Sequence, residues 1–425
     1  MPRRWGGFGG RRRVRQIPTI IVMVANYHCF MIFTVPPLHI ELEVVQLVEE
    51  LHERLRNRVA QPKRWNGSLR RLTLARAVQG SNSIEGYDAS LDDVVAALDD
   101  EEPLDASSEV RRALDGYRDA MTYVLQLANQ PKVVVNEPLI QALHFMMLKH
   151  DLGKSPGLWR PGEIFVRRDL DGLVVYQGPD ADDVPALMSE LATCLADTAD
   201  THALVRAAMA HLNLVMIHPF RDGNGRMARC LQTLVLAGKK ILSPEFNSIE
   251  EHLGRNSEAY YDVLAEVGQG RWHPERDPRP WIRFCLTAHY RQASTLVRRV
   301  QETERLWEEL QLVAHRAGVP ERSVGALMDA SYGFRLRNAT YRRAVRDTEF
   351  EEIAEQTASR DLKALVDANL LVPQGVKRGR IYLAGPQVLA AIDQIRTDRP
   401  PASADDPFMI VRSAQPPLPL ESEQN

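Results

Sequence analysis

The chain is 425 residues long, which exceeds the size at which a single hydrophobic core stops growing and predicts two or three domains. Hydrophobic residues make up 44% and charged residues 26% of it, which excludes a collagen-like or wholly disordered protein. The net charge of −3 gives no sign of a nucleic-acid or membrane partner for the chain as a whole. The 4 cysteines lack CxxC spacing, which argues against a disulfide framework or a structural zinc site and favours a cytosolic, cytoplasmic location.

The N-terminus combines arginines with an apolar run over Ile17–Val35, a layout that resembles a signal anchor. The run is interrupted at Asn26–His28 and barely reaches the roughly 20 residues that a spanning helix needs. We therefore expect residues 1–37 to be a disordered or mis-called extension, with Met31 as the initiator and no membrane contact.

Apolar residues spaced three and four apart predict helices along most of the chain, and the fold class is predicted to be mainly α. The predicted helices cover Leu38–Ala60, a stretch from Trp65 to Gly80, one after the N-cap Ser90, Val110–Asn129, Glu137–Lys149, Val184–Thr198, Ala203–Met216, Gly225–Ala237, Ser257–Val267 and Pro280–Leu310. Between them, Ile164, Val166 and then Val174–Tyr176 flank turn residues and predict a short β-hairpin.

The pattern changes over Gly333–Leu383, where helical stretches and a helix over Thr357–Asp367 precede a glycine-flanked basic hairpin. This order suggests a winged helix-turn-helix with Thr357 as helix cap. Its DNA-facing residues would be Ser359, Arg360 and Lys363 on the helix and Lys377, Arg378 and Arg380 on the wing. Protein docking is an equally favoured role for such a module, and Arg360 could instead form a structural ion pair.

The segment from His218 to Arg229 reads HPFRDGNGRMAR and concentrates groups suited to phosphate chemistry. Its glycine-asparagine-glycine step would expose backbone N–H groups at the start of a helix, which favours an anion. Arg226 and Arg229 lie three apart on one helix face and could hold a polyphosphate. Asp222 could hold Mg²⁺, and His218 is left as the general base. A merely capped helix N-terminus is the alternative, but it explains only a minority of these residues.

This segment resembles the signature HxFx(D/E)GNGRxxR of the Fic family without a departure. The resemblance implies a Fic-type helical core and transfer of AMP from Mg-ATP to a Ser, Thr or Tyr hydroxyl. It implies His218 as base, Asp222 on the metal, Gly223, Asn224 and Gly225 as the anion hole, Arg226 and Arg229 on the phosphates and Phe220 as buried support. It also implies a flap of Val174, Val175, Tyr176 and Gln177 that pairs with the target by strand addition, and an adenine region of Asn256, Tyr260 and Tyr261. Packing in the core is an equally good explanation for Tyr261.

A second resemblance lies upstream, where Ser81–Gly86 reads SNSIEG and is similar to the family's inhibitory motif (S/T)xxxE(G/N). Ser81 and Glu85 are four apart, so we expect both on one helix face, with Glu85 paired to Arg229. ATP could then bind only in an unproductive pose. Such a short pattern also arises by chance, and the alternative is a surface Glu85.

These interpretations divide the chain into 1–37, an N-terminal helical region with the inhibitory motif over 38–110, a catalytic core over 111–295, a linker helix and winged helix over 296–395, and a disordered tail over 396–425. Three functions stay open. The first is an adenylyltransferase that modifies a target protein or itself, which in this family often dimerises. The second is removal of AMP, with Glu85 aligning a water molecule. The third is a DNA-binding regulator whose nucleotide-binding domain acts as a sensor.

Overall fold

Helices form most of the computed structural model, which describes residues 31–99, 101, 105–167, 172–196, 201–238, 242–376, 379–399 and 406–414. The N-terminal helices are α1 (Ile40–Val59), α2 (Asn66–Ser83), α3 (Leu91–Leu98), α4 (Ser108–Leu127) and α5 (Glu137–Leu148). After the strands β1 (Phe165–Arg167) and β2 (Val174–Gln177) come α6 (Val184–Ala196), α7 (Ala203–Ile217), α8 (Asn224–Ala237), α9 (Pro244–Asn247), α10 (Glu250–Arg255) and α11 (Ser257–Gly268). The long helix α12 (Arg279–Arg316) leads to α13 (Val324–Ser331), α14 (Asn338–Glu349), α15 (Glu355–Asp367), β3 (Leu371–Gln374), β4 (Ile381–Ala384), α16 (Pro386–Thr397) and α17 (Pro407–Ala414). The mainly α prediction is confirmed.

The centre of the molecule is the pair α7 and α8, which pack along each other. Every residue of α7 except Val215 is buried, as expected for a helix whose residues are mostly apolar. Both helices belong to the larger of two hydrophobic clusters. The loop that joins them, His218–Gly223, therefore starts and ends on elements that the core holds rigidly. We call His218–Gly225, this loop with the first residues of α8, the signature loop.

The second hydrophobic cluster lies in the C-terminal part of the chain, where α13, α14, α15 and α16 pack against the later half of α12. The N-terminal end of α2 contributes Trp65 and Leu69 to this cluster, whereas Leu72 and Val78 of the same helix belong to the larger one. The described residues from Met31 onward form one compact unit, and α12 runs unbroken through residue 295. The proposed domain limits thus stay predictions.

Ordered structure extends into both of the predicted terminal segments. Ile32 and Phe33 are buried, and the backbone of Phe33 exchanges two hydrogen bonds with the side chain of Asn213, at 2.9 and 3.0 Å, so residues 32–37 do not belong to a disordered extension. In the predicted tail, α17 buries Phe408 and Val411 and packs against α1. Eight residues are too few for a clear helical period. Residues 1–30, which hold most of the apolar run, lie outside the described residues, and none of the described helices is long and apolar enough to cross a membrane.

The C-terminal elements follow the predicted order, with three helices before the antiparallel hairpin of β3 and β4, and a single bridge pairs Leu336 with Tyr382. The predicted cap Thr357 is wrong, because α15 begins two residues earlier and Thr357 lies inside its first turn. Ser359, Arg360 and Lys363 are exposed on α15. Arg380 is exposed too, while Lys377 and Arg378 lie outside the described residues.

Helix α2 crosses α10 at two glycines, Gly80 and Gly254, whose backbones are in direct contact. A Cβ built at Gly80 would lie 2.4 Å from the carbonyl oxygen of Glu250. We expect Gly80→Ala to force the helices apart and to lower the free energy of unfolding by about 1–3 kcal/mol, as overpacking does. Chemical denaturation checks this. Gly67→Ala in the same helix is the control, because its Cβ would meet nothing closer than 3.4 Å and should be tolerated. Equal effects at the two positions would contradict a tight crossing.

Buried histidines should make the fold acid-sensitive. Burial lowers the pKa of His289 to about 3, and its Nε2 accepts a hydrogen bond from Gln232 at 3.3 Å, which requires a neutral ring. The unfolded chain takes up this proton near pH ~6.5, so stability is complete above that pH and falls as the pH drops toward 3, by about 1.4 kcal/mol per pH unit. Denaturation at pH 7 and pH 5 should show a smaller loss in His289→Asn than in the unmodified protein. The exposed His315→Asn should leave the loss unchanged.

Candidate active site

His218 ends α7 in the left-handed conformation, with φ 52°, and its N–H caps the helix by donating to Leu214 O at 2.9 Å. The Nδ1 atom lies 3.2 Å from Val215 O, so the neutral ring carries its proton there and leaves the Nε2 lone pair free. Burial lowers the pKa of His218 to about 4, against the opposing effect of the Val215 hydrogen bond. The ring is therefore neutral at physiological pH, as a general base must be.

Arg160 is a buried residue that supports the backbone of His218, a role that the sequence did not predict. Its guanidinium donates to the carbonyl oxygens of His218 at 2.9 Å, Gly162 at 2.6 Å and Pro179 at 2.5 Å. Its own backbone N–H donates to Pro219 O at 2.8 Å. One side chain thus ties the signature loop to both ends of the β1–β2 hairpin. Nothing in the sequence signals this role, because the acceptors are all backbone groups.

The side chain of Asn224 closes the signature loop on itself. Its amide exchanges two hydrogen bonds with the backbone of Phe220, both 2.9 Å long, and the residue is buried. The predicted part of Asn224 in the anion hole can thus involve only its backbone, since its side chain is already used. Gly223 precedes it at φ 74°, a conformation that favours glycine.

His144 on α5 holds the loop from the other side. Its ring stacks on Phe220, with the centroids 3.6 Å apart, and Phe220 is fully buried as predicted. Nδ1 accepts the N–H of Gly157 at 2.8 Å, so Nε2 carries the proton and donates to Asp222 O at 2.9 Å. Burial lowers the pKa of His144 to about 4, which keeps this arrangement neutral.

Asp222 is the predicted metal ligand. One of its carboxylate oxygens accepts the N–H of Gly223 at 2.6 Å, and the other pairs with Lys154 Nζ at 2.6 Å. Burial by itself would raise the pKa of Asp222, but the hydrogen bond and charge of Lys154 and the charge of Arg226 lower it, so the group is ionised. In the described part of the chain no three acidic, histidine or cysteine side chains form a metal cluster. A lone carboxylate still fits Mg²⁺, which commonly takes one protein carboxylate together with substrate phosphates and water.

The start of α8 is occupied by a carboxylate. A Cβ built at Gly225 would lie only 2.3 Å from Glu85 Oε1, so the absence of a side chain at this position lets Glu85 approach the helix N-terminus. The partial positive charge of a helix start favours an anion there. Glu85 therefore fills the place where the sequence predicts phosphate binding.

Arg229 is fully buried and pairs with the inhibitory motif as predicted. Its Nη2 donates to Glu85 Oε1 at 2.6 Å and to Ser81 O at 2.9 Å, and its Nε donates to Ser81 Oγ at 2.8 Å. Nη1 has no hydrogen-bond partner among the described residues. One detail of the prediction is wrong, because α2 ends at Ser83 and Glu85 lies in the turn that follows, not on the helix face of Ser81. Burial alone would lower the pKa of Arg229, yet the charge of Glu85 raises it.

A second carboxylate lies behind Arg229, on Glu250 of α10. It accepts hydrogen bonds from Tyr117 at 2.7 Å and Thr233 at 3.2 Å, and burial raises its pKa against the effects of Tyr117 and Arg229. No local sequence pattern predicts this buried group. It keeps a carboxyl group beside Arg229 even when Glu85 leaves.

Arg226 lies one helical turn earlier on α8 and is also buried. Its guanidinium stacks on the ring of Tyr87, 4.9 Å from the centroid, and its Nε and Nη1 have no hydrogen-bond partner in the described part of the chain. Buried guanidinium donors without partners are costly, and a phosphate oxygen would satisfy them. The two arginines thus offer free donors near the same helix start.

The three residues of the predicted adenine region differ in their exposure and their hydrogen bonds. Tyr260 is buried in the core, where its hydroxyl meets His211 Nε2 at 3.1 Å, so its place in an adenine region stays a prediction. Tyr261 is 49% exposed, and its hydroxyl donates to Ile84 O at 3.1 Å, next to Glu85. Asn256 joins α10 to α11 and donates to His252 O at 2.8 Å. A half-exposed tyrosine beside the inhibitory segment can contact a ligand without unfolding the core.

The predicted flap is the hairpin of β1 and β2, whose pairing places Val166 opposite Tyr176. Val174 and Val175 are exposed. Tyr176 is buried and donates its hydroxyl to Met216 O at 2.8 Å, which anchors the strand on α7. The backbone of Gln177 continues into bonds with Gly270 at 3.0 Å and Trp272 at 3.1 Å. The hairpin is therefore fixed at its base and exposes apolar side chains near its turn.

Residues 134–236 match the family model of the Fic/DOC family. The chain is 28% identical over 282 residues to "Protein adenylyltransferase Fic" of Aedes aegypti, which covers 62% of this chain and 52% of the relative. It is 27% identical over 332 residues to the protein of the same name from Culex quinquefasciatus, which covers 74% of this chain and 61% of the relative. The chain thus spans between half and two thirds of the length of these relatives.

Among solved structures, a Fic family protein from Desulfovibrio desulfuricans G20 superposes with a TM-score of 0.52 at 23% identity, covering 83% of this chain and 98% of the other. A Fic domain containing signaling protein from Bacteroides thetaiotaomicron VPI-5482 gives a TM-score of 0.50 at 20% identity, covering 60% of this chain and 97% of the other. At these identities the likeness shows a shared fold.

Proposed function

We propose that this chain, which carries a Fic/DOC domain over residues 134–236, transfers AMP from ATP to a Ser, Thr or Tyr hydroxyl of a protein, its own chain included. The observation that carries the proposal is the signature loop. It presents the free Nε2 of a neutral His218 at one end and a helix start with two buried, partly unpartnered arginines at the other. Relatives named protein adenylyltransferase support the same activity.

In the proposed reaction the hydroxyl oxygen attacks the α-phosphorus of ATP, and the bond from that phosphorus to the bridging oxygen of pyrophosphate breaks. His218 Nε2 takes the hydroxyl proton, while the Val215 carbonyl holds Nδ1–H and fixes the ring. The backbone N–H groups at the start of α8 and the free donors of Arg226 and Arg229 stabilise the charge that develops on the phosphates. Bound Mg²⁺, held through Asp222, would neutralise further phosphate charge.

Glu85 restrains this activity in our proposal. It holds one nitrogen of Arg229 at 2.6 Å and fills the helix start over Gly225, so phosphate and carboxylate compete for the same donors. Transfer then requires Glu85 to leave, while the two hydrogen bonds from Arg229 to Ser81 do not depend on Glu85.

The target segment would bind as an extended strand along the β1–β2 hairpin. Val174 and Val175 offer exposed apolar contacts there, and the anchored Tyr176 keeps the strand in place. Backbone pairing gives affinity without selecting many side chains, so target choice would depend on contacts outside the catalytic residues. We place this reaction in the cytosol, because the described cysteines Cys194, Cys230 and Cys285 are free thiols.

Label transfer tests the proposed function. The purified chain is incubated with Mg²⁺ and ATP labelled on either the α- or the γ-phosphate, and the modified residue is identified by mass spectrometry. Label on protein from the α-phosphate alone supports AMP transfer, whereas label from the γ-phosphate contradicts it. Release of AMP from a modified protein, without any transfer from ATP, would instead favour the reverse reaction.

A DNA-binding role for the C-terminal module is the second candidate. Arg360 and Lys363 on α15 and Arg380 beyond the β3–β4 turn are exposed, and none of them forms an ion pair within the described ranges. Such cations could contact phosphates of a duplex in a winged helix-turn-helix. Fluorescence anisotropy with duplex DNA should show salt-dependent binding that Lys363→Gln weakens. Salt-independent binding, or none, would favour a protein partner.

A further inference from the structure

Lys154 is the charged residue closest to the proposed metal ligand, and neither the signature nor the inhibitory motif contains it. Its Nζ lies 2.6 Å from Asp222 Oδ2, and the two side chains are 32% and 37% exposed. The other Asp222 oxygen is turned toward its own loop, where it accepts the N–H of Gly223 at 2.6 Å. Lys154 therefore covers the oxygen that is accessible to a ligand.

The position of Lys154 is fixed by the same residue that fixes Asp222. Lys154 ends a short 3-10 turn, Leu152–Lys154, that the Asp151 carboxylate caps through the N–H of Gly153 at 3.0 Å. Just beyond this turn, Gly157 donates to His144 Nδ1 at 2.8 Å, while His144 Nε2 donates to Asp222 O at 2.9 Å. The imidazole of His144 thus joins the lysine-bearing turn to the metal-ligand loop, so the ion pair is a built contact.

We propose that Lys154 is a resident counter-ion that Mg²⁺ must displace from Asp222, so that this lysine sets how tightly the site takes up metal together with ATP. The inference rests on the proposed function, because it assigns the metal to Asp222. Both cations seek the same carboxylate oxygen, and a carboxylate held beside an ammonium group is a weaker ligand than a free one.

The exchange is physically accessible. Lysine carries its charge on a flexible four-carbon stem, and a third of this side chain already faces solvent, so Nζ can move into water without an uncompensated buried charge. Arg229, by contrast, is completely buried and rigidly bonded to Ser81 and Glu85. Of these two ion pairs, the one at Asp222 can therefore open with little cost, because a partly exposed ion pair contributes little to stability.

The test measures metal binding directly. Every protein in this test carries Glu85→Gly, so that phosphates can reach the start of α8. Full-length protein with a saturating ATP analogue that cannot be cleaved between the α- and β-phosphates is titrated with Mn²⁺, a spectroscopic substitute for Mg²⁺, and free Mn²⁺ is read by electron paramagnetic resonance. Lys154→Gln is expected to tighten Mn²⁺ binding roughly two- to fivefold, since the competing cation is gone. Lys154→Arg, which keeps the charge, should remain close to the unmodified protein.

Lys149→Gln is the matched control. Lys149, at the end of α5, makes an ion pair of the same length, 2.6 Å, with Asp119 of α4. It should leave Mn²⁺ affinity unchanged. Equal affinity in Lys154→Gln and the unmodified protein, or weaker affinity in the variant, would overturn the proposal for Lys154. If Asp222→Asn binds Mn²⁺ as well as the unmodified protein does, the metal assignment within the proposed function fails instead. The two failures are thus distinguishable.

Discussion

Glu85→Gly is expected to raise the rate of AMP transfer roughly ten- to hundredfold. The substitution frees Arg229 Nη2, which now bonds Glu85 at 2.6 Å, and opens the helix start over Gly225. A hydrogen bond to a charged group contributes about 1.5–3 kcal/mol, which corresponds to this range of rate if the arginine moves to the phosphates. Initial rates of label transfer from α-labelled ATP measure the effect.

Asp88→Gly provides the matched control, because Asp88 is an exposed carboxylate three residues further along the same segment. It removes the same charge and inserts the same flexible residue, but it should leave the rate unchanged. Thermal melting checks that both variants fold. We expect them to do so, because Arg229 keeps its two hydrogen bonds to Ser81 in the absence of Glu85. Equal rates for Glu85→Gly and the unmodified protein would contradict the inhibitory role.

His218→Ala, made in the Glu85→Gly background, should lower AMP transfer about 10²- to 10⁴-fold, the usual contribution of a general base. Binding of ATP should persist, because the phosphate-binding groups lie on α8 and not on the imidazole. His150→Ala, which removes an exposed histidine outside the signature loop, should retain full activity. Substantial transfer by the His218→Ala protein would exclude the imidazole as the base.

The pH profile gives an independent check on the same base. Because burial lowers the pKa of His218 to about 4, its Nε2 stays unprotonated from pH 8 down to about pH 5. Transfer in the Glu85→Gly protein should therefore not decline through pH 6.5, where an ordinary histidine would become protonated. A loss of activity centred near pH 6.5, in protein shown to be folded there, would contradict the buried environment described for this ring.

The sequence predicted the residues of the signature loop and the hairpin of β1 and β2, because each is a local pattern with a strong chemical meaning. The pairing of Glu85 with Arg229 followed from the resemblance to the inhibitory motif of the family. It did not predict Arg160, His144 or Glu250. Their functions depend on which backbone carbonyls and hydroxyls the fold brings to them, and those partners are far away along the chain. The groups that support the site thus depend on the tertiary structure, whereas the reactive groups of the signature loop can be recognised from neighbouring residues in the sequence.

Two predicted site residues illustrate the same dependence on the fold. Asn224 and Tyr260 carry polar groups that could serve a ligand, but the fold uses the amide of Asn224 to close its own loop and buries Tyr260 against His211. A polar side chain must satisfy its hydrogen bonds inside the protein before any remain for a ligand. Only the folded structure shows which donors are left without a partner, such as those of Arg226 among the described residues.

Helix α2 has a mechanical consequence for how this protein can be controlled. At one end, Arg64 just before the helix pairs with Glu321 and Glu349 of the C-terminal elements, and Arg71 within it pairs with Asp329. The other end delivers Ser81 and Glu85 to Arg229. At about 1.5 Å per residue the 18 residues between span roughly 27 Å without a break.

A continuous helix behaves as a stiff rod at this length, so a tilt of its first turn is not absorbed before the last. Gly80 contacts α10 and forms a pivot point close to the catalytic end of α2. Most of the helix therefore extends from this point toward the C-terminal elements. A partner that binds α13 or α14 can therefore change the position of Glu85 from a distance. A regulator of this protein need not enter the catalytic site at all.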